Sequence, residues 1–138
     1  MKNQTGMWID GSKAVIITLI DGKEQVDRVE AEIENPVHHF GEGNQGVLMG
    51  TRHLMPEKRI QEREHHQLDQ YLDAVLNKVK SADELYVFGP AETRVALQRK
   101  LETDKSYREL LPRLRAVEPA DNMTKNQIVA RVKEFFMN

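Results

Sequence analysis

The chain has 138 residues, of which 30% are charged and 39% hydrophobic, with a formal net charge of −2 and no cysteine. That length predicts one domain, 1–138, with a core that needs no staples. Disulfides and thiolate metal sites are excluded, and so is indiscriminate nucleic-acid binding, which rests on many Lys and Arg side chains neutralising phosphates; a local basic patch is not.

At the N-terminus, MKNQTGMWIDGS lacks the apolar stretch of a secretory signal. Together with the missing cysteine this gives a cytoplasmic location as the expectation. Trp8-Ile9 leads a first strand into Asp10-Gly11. Lys13 to Ile20 reads as a second strand, apolar almost throughout, as in a central strand covered on both faces. Interrupted by Thr18, this run is far too short to span a bilayer, so no membrane segment is expected. Gln25 to Glu34 carries Val29, Ala31 and Ile33 in alternation and predicts a third strand with one wet face. Val26 is out of phase and predicts a bulge. The repeated Ile-Asp-Gly predicts two type I′ hairpins, because Asp and Gly tolerate the positive φ those turns require.

Asn35-Pro36 breaks the third strand. Residues 35–55 follow neither a helical nor a strand period, so a flexible loop is expected; it holds four of the eight glycines, between positions 41 and 50. A helix is predicted from Pro56 to Lys80. Pro suits a first helical position, and Glu57 suits the positive end of the helix dipole. Leu68, Leu72, Val75, Leu76 and Val79 recur at three- and four-residue steps with Tyr71 beside them, forming one apolar stripe. The earlier stretch RIQEREHHQ is polar nearly all round and is expected to project past the sheet. Leu85 to Phe88 is a short strand ended by Gly89-Pro90, and Pro90 starts a helix to about Glu102 that buries Val95, Leu97 or Leu101. Tyr107 to Leu111 predicts a further short helix, and Leu114 to Val117 a last strand. Thr124 and Gln127 form a capping box, which opens the most regular helix, with Ile128, Val129, Val132, Phe135 and Phe136 on one face.

The order is therefore β-β-β-α-β-α-β-α. Strand-helix-strand crossovers give right-handed parallel pairing. The prediction is an α/β, ribonuclease-H-like domain: a mixed five-stranded sheet of order 3-2-1-4-5 with helices on both faces.

The Gly-rich segment FGEGNQG, the charged helix EKRIQEREHHQLDQY and the strand ending Val87-Phe88-Gly89-Pro90 form a set. With Ala116-Val117-Glu118 and Asn126-Gln127-Ile128 near the end, they resemble the middle domain of archaeal and eukaryotic class-one peptide-chain release factors, and the related domain of the rescue factor Pelota. The nearest likeness is to small stand-alone bacterial relatives. The resemblance covers about residues 7 to 136. In the release factors this loop carries Gly-Gly-Gln, which implies a glutamine presented to the peptidyl-tRNA ester. The matching residues here are Gly43-Asn44-Gln45-Gly46, with Asn44 in place of the second glycine. The flanking codon-reading and partner-binding segments have no counterpart in these residues.

The resemblance implies a translation-associated RNA-binding module that contacts the ribosome or tRNA through Gln45 at the loop tip and Arg52, His53, Lys58, Arg59 and Arg63 in or after the loop. Glu57, Glu62 and Glu64 dilute that cluster, so the residues by themselves favour a solvated helix end over an RNA site. No aromatic residue interleaves it, so base stacking is not indicated. Two other readings stay open. One is an enzyme: a peptidyl-tRNA hydrolase using Gln45, or a metal-dependent nuclease using Asp10 with Glu64, Asp83 or Asp121. The other is a protein–protein module or homo-oligomer without chemistry. Adjacent pairs His38-His39 and His65-His66, with His53, lack the i,i+4 spacing of helix ligands, so neither a metal nor a cofactor is expected.

Overall fold

The computed structural model describes residues 2–31 and 57–137, with side chains from His65 onward in the second part. The elements in order are strands β1 (Asn3–Ile9), β2 (Lys13–Ile20) and β3 (Lys23–Glu30), helix α1 (Glu57–Lys78), strand β4 (Glu84–Gly89), helix α2 (Ala91–Thr103), two single 3₁₀ turns (Lys105–Tyr107 and Leu111–Arg113), strand β5 (Leu114–Pro119) and helix α3 (Lys125–Met137). The sheet order is β3-β2-β1-β4-β5. β1 pairs antiparallel with β2 and β2 with β3, whereas β4 lies parallel to both β1 and β5. This is the expected mixed α/β sheet of ribonuclease-H-like topology. The expected 35–55 loop lies outside the described residues.

The strand period of two sorts side chains to two faces. Met7, Ile9, Ala14, Ile16, Leu85 and Val87 pack with Leu72, Val75, Leu76 and Val79 of α1 and Leu97 and Leu101 of α2. Trp8, Val15, Ile17, Leu19, Tyr86 and Phe88 pack under Ile128 and Val132 of α3, with Phe135 and Phe136 beside them. Each such fully buried side chain contributes roughly 1.5–3 kcal/mol relative to exposure. On the α3 face the helix comes very close: a Cβ built on Gly6 would lie 2.5 Å from Val132 Cγ2. Thr124 and Gln127 cap α3 reciprocally, the Thr124 N–H donating to Gln127 Oε1 (2.9 Å) and the Gln127 N–H to Thr124 Oγ1 (3.2 Å).

Several local expectations need correction. Only the second Ile-Asp-Gly makes a type I′ turn, with Asp21 at φ 52° and Gly22 at φ 78° between the paired Ile20 and Lys23. At the first corner Gly11 and Ser12 are the central residues, closed by the Asp10 N–H donating to the Lys13 carbonyl at 3.0 Å. Asp10 acts there through its side chain: Oδ1 accepts from the Ser12 N–H (2.8 Å), the Ser12 hydroxyl (3.0 Å) and the Lys13 N–H (2.8 Å). Val26 marks no bulge, because β3 pairs with β2 without a break from Lys23 to Glu30; the register shift lies between Leu85 and Tyr86 on β4. Val26 is out of phase because it lies on the outermost strand and packs in neither core, 37% exposed. On α2, Leu97 and Leu101 are buried while Val95 is 44% exposed. The helix expected over 107–111 is instead the pair of 3₁₀ turns that flank it.

Candidate functional site

Gln45, Arg52 and His53 lie outside the described residues. Lys58, Arg59 and Arg63 fall within the first two turns of α1, and their side chains also lie outside the described residues. The described part of the molecule therefore contributes the frame of this candidate site: the segment enters from the end of edge strand β3 and leaves into α1.

Of the carboxylates considered for a metal-dependent nuclease, the Glu64 side chain lies outside the described residues, and Asp10, Asp83 and Asp121 do not gather. Asp10 follows the C-terminal end of β1 and is engaged in its own turn. Asp83 precedes β4 at the other end of the parallel β1–β4 pair, where its Oδ2 accepts from the Asn3 N–H at 2.7 Å. Asp121 contributes its backbone carbonyl, accepting from Trp8 Nε1 at 3.0 Å. Among the described residues no three His, Asp or Glu side chains are placed to hold a metal ion. His65 and His66 are both exposed on α1. No described helix is long and apolar enough to cross a membrane.

Two polar knots carry the described surface chemistry. Tyr86 on β4 donates its hydroxyl proton to Glu118 on β5, and Arg131 on α3 donates from Nε to the same hydroxyl oxygen at 2.9 Å. Arg131 also reaches Glu118 Oε1 at 3.3 Å and stacks 4.8 Å above the Phe88 ring. Tyr86 stacks on Phe135 with ring centroids 3.9 Å apart. Burial, then the Glu118 carboxylate, raise the Tyr86 pKa above its ordinary value. The Tyr86 hydrogen bond, with Arg131, holds Glu118 below the carboxylate range. The knot borders an open groove of about 530 Å³ lined by Gln127, Glu134 and Phe135 as well. The three polar side chains bond to one another and so tie β4, β5 and α3 together.

The second knot centres on Lys100 of α2, whose side chain is 10% exposed and meets Asp69 (2.7 Å), Asp73 (3.2 Å) and Asp104 (3.5 Å). Tyr107 donates to Asp73 at 2.6 Å. Burial alone would lower the Lys100 pKa, but hydrogen bonds to Asp69 and Asp73 outweigh it and the value is raised. A shallow groove of about 450 Å³ runs beside it between α1 and α2.

Sequence reasoning missed both knots. Their members are 31 to 45 residues apart in part, which no local period reports. The one legible signal was Arg131, a charge next to Val132 on an otherwise apolar helix face.

No family model and no curated protein matches the sequence. Among solved structures, an archaeal translation termination factor, aRF1, matches with a TM-score of 0.54 and 12% sequence identity, covering 96% of this chain and 34% of the factor. The likeness is one of fold, and this chain spans about a third of the factor's length.

Proposed function

We propose that the chain is a translation-associated binding module that meets the ribosome or tRNA through Gln45, Arg52, His53, Lys58, Arg59 and Arg63. The observation that carries this reading is the fold likeness to a translation termination factor over 96% of the chain. The Gly-rich segment and the basic start of α1 follow one another in the chain, and there Lys and Arg suit phosphate contacts and Gln45 suits the approach to a tRNA end. A cytoplasmic location accompanies this reading.

Co-sedimentation with ribosomes across a salt series tests it. Binding at about 50 mM salt is expected to fall steeply as salt rises, and the triple variant Lys58→Glu/Arg59→Glu/Arg63→Glu is expected to reduce the log–log slope by about 3. Protein that stays in the supernatant at low salt, or a triple variant that pellets like the parent, refutes it. In the same preparation, release of peptide from peptidyl-tRNA that disappears in Gln45→Ala while binding persists would shift the assignment to a hydrolase.

A further inference from the structure

We propose that the outer edge of β3 is a self-pairing surface through which two copies of this chain join antiparallel, extending two five-stranded sheets into one of ten strands. Among the described residues β3 is the last strand of the sheet, eight residues long and mostly exposed. Its pairing parity is fixed by the ladder it forms with β2. The Ala31 N–H donates to the Ser12 carbonyl at 2.8 Å, and Ser12 and Ala31 continue the β2–β3 register in which Lys13 faces Glu30. Odd-numbered residues of β3 therefore spend their backbone groups on β2, because these alternate along an antiparallel ladder. Glu24, Val26, Arg28 and Glu30 turn their N–H and C=O outward.

A two-fold antiparallel pair must match residues of like parity, which leaves few registers. The two longest have their two-fold axis at Val26 or at Asp27. The axis at Asp27 sets Asp27 against its own copy and Glu24 against Glu30 of the other chain, so every charged pair is repulsive. The axis at Val26 sets Val26 against its copy and Glu24 against Arg28 of the other chain, twice. Val26 is among the few large apolar side chains left exposed among the described residues, at 37%. Within one chain Glu24 pairs with Lys133 of α3 and Arg28 with Glu30. The joined edge would thus run Lys133, Glu24, then Arg28 and Glu30 of the second copy, alternating in sign throughout. Charge complementarity of this kind selects register and partner. One strand pair is a small interface, so association in the micromolar-to-millimolar range is expected. This inference does not depend on the ribosome contact.

Sedimentation equilibrium of the full chain tests it over about 10 µM to 1 mM, a span set by the small interface. The weight-average mass should climb from one chain toward two. Glu24→Arg and Arg28→Glu should each weaken the dimer about tenfold or more, since each change acts twice across the axis. The double variant Glu24→Arg/Arg28→Glu should restore it. Val26→Pro should abolish it with circular dichroism unchanged, because the proline removes an outward N–H that β2 does not use. A mass of one chain throughout, or a dimer indifferent to the charge reversals, overturns the proposal.

Discussion

The two faces of the sheet solve one problem differently. Toward α1 and α2 the core is largely aliphatic and two helices thick, and its polar knot sets one lysine against Asp69, Asp73 and Asp104. Toward α3 a single helix covers the sheet, aided by a Tyr86–Phe135 stack and a knot in which one arginine meets one carboxylate. A face with two helices tolerates unbalanced charge at its rim because apolar burial holds it together. A face with one helix relies on close approach and on matched charge.

The sharpest test of that contrast is steric. Gly6→Ala inserts a methyl where Val132 already stands, 2.5 Å from its Cγ2, and is expected to cost on the order of 2–3 kcal/mol in urea unfolding. Adding Val132→Ala should recover at least half of that cost, as coupled neighbours do. Strictly additive losses would mean that α3 does not seat on Gly6.

Next in size are the knots. Lys100→Met leaves three carboxylates facing one another, two of them on α1, and should cost about 2 kcal/mol. Arg131→Met leaves Glu118 with its Tyr86 hydrogen bond and should cost about 1 kcal/mol. Equal losses, or a reversed order, would break the comparison.

The smallest effect is pH dependence. Glu118 is held below its ordinary 4.5, so its contribution is present above about pH 4.5 and is lost as pH falls through the lowered native value. Lys100 is raised above 10.5, so its contribution is present below that pH and is lost as pH rises through the raised value. Glu118→Gln should flatten the acid limb of stability, and Lys100→Met the alkaline limb. Neither limb should vanish. Glu84 is held down to about 2 by hydrogen bonds from Lys2, Gln4 and Arg115, and burial raises Tyr71 and Tyr107, where nearby carboxylates add to it. Chemical denaturation from pH 3 to 11 checks both limbs.

Much of the fold was legible because its signals are local. The three- and four-residue steps from Leu68 to Val79 and the Thr124–Gln127 box announced α1 and α3, and the alternating arrangement of strands and helices gave the sheet order. What failed were choices between equally good local solutions. The same Ile-Asp-Gly closes two corners, yet Asp21 sits at the turn centre while Asp10 precedes it and accepts hydrogen bonds instead; Ser12 supplies the extra donors that Lys23, at the corresponding place, does not. Val95 and Leu97 are both apolar on α2, and only the neighbouring sheet decides which is covered. The proposed contact residues, from Gln45 to Arg63, were read from resemblance, and the chemistry that would define such a site belongs to a partner, which no periodicity within one chain reveals.

Trp8 is the chain's single tryptophan, 1% exposed, with its indole nitrogen tied to the Asp121 carbonyl just ahead of α3. Its emission therefore reads out the seating of that helix. Peeling α3 away would hydrate the indole and move the fluorescence to the red, giving an optical signal of local opening with no label attached.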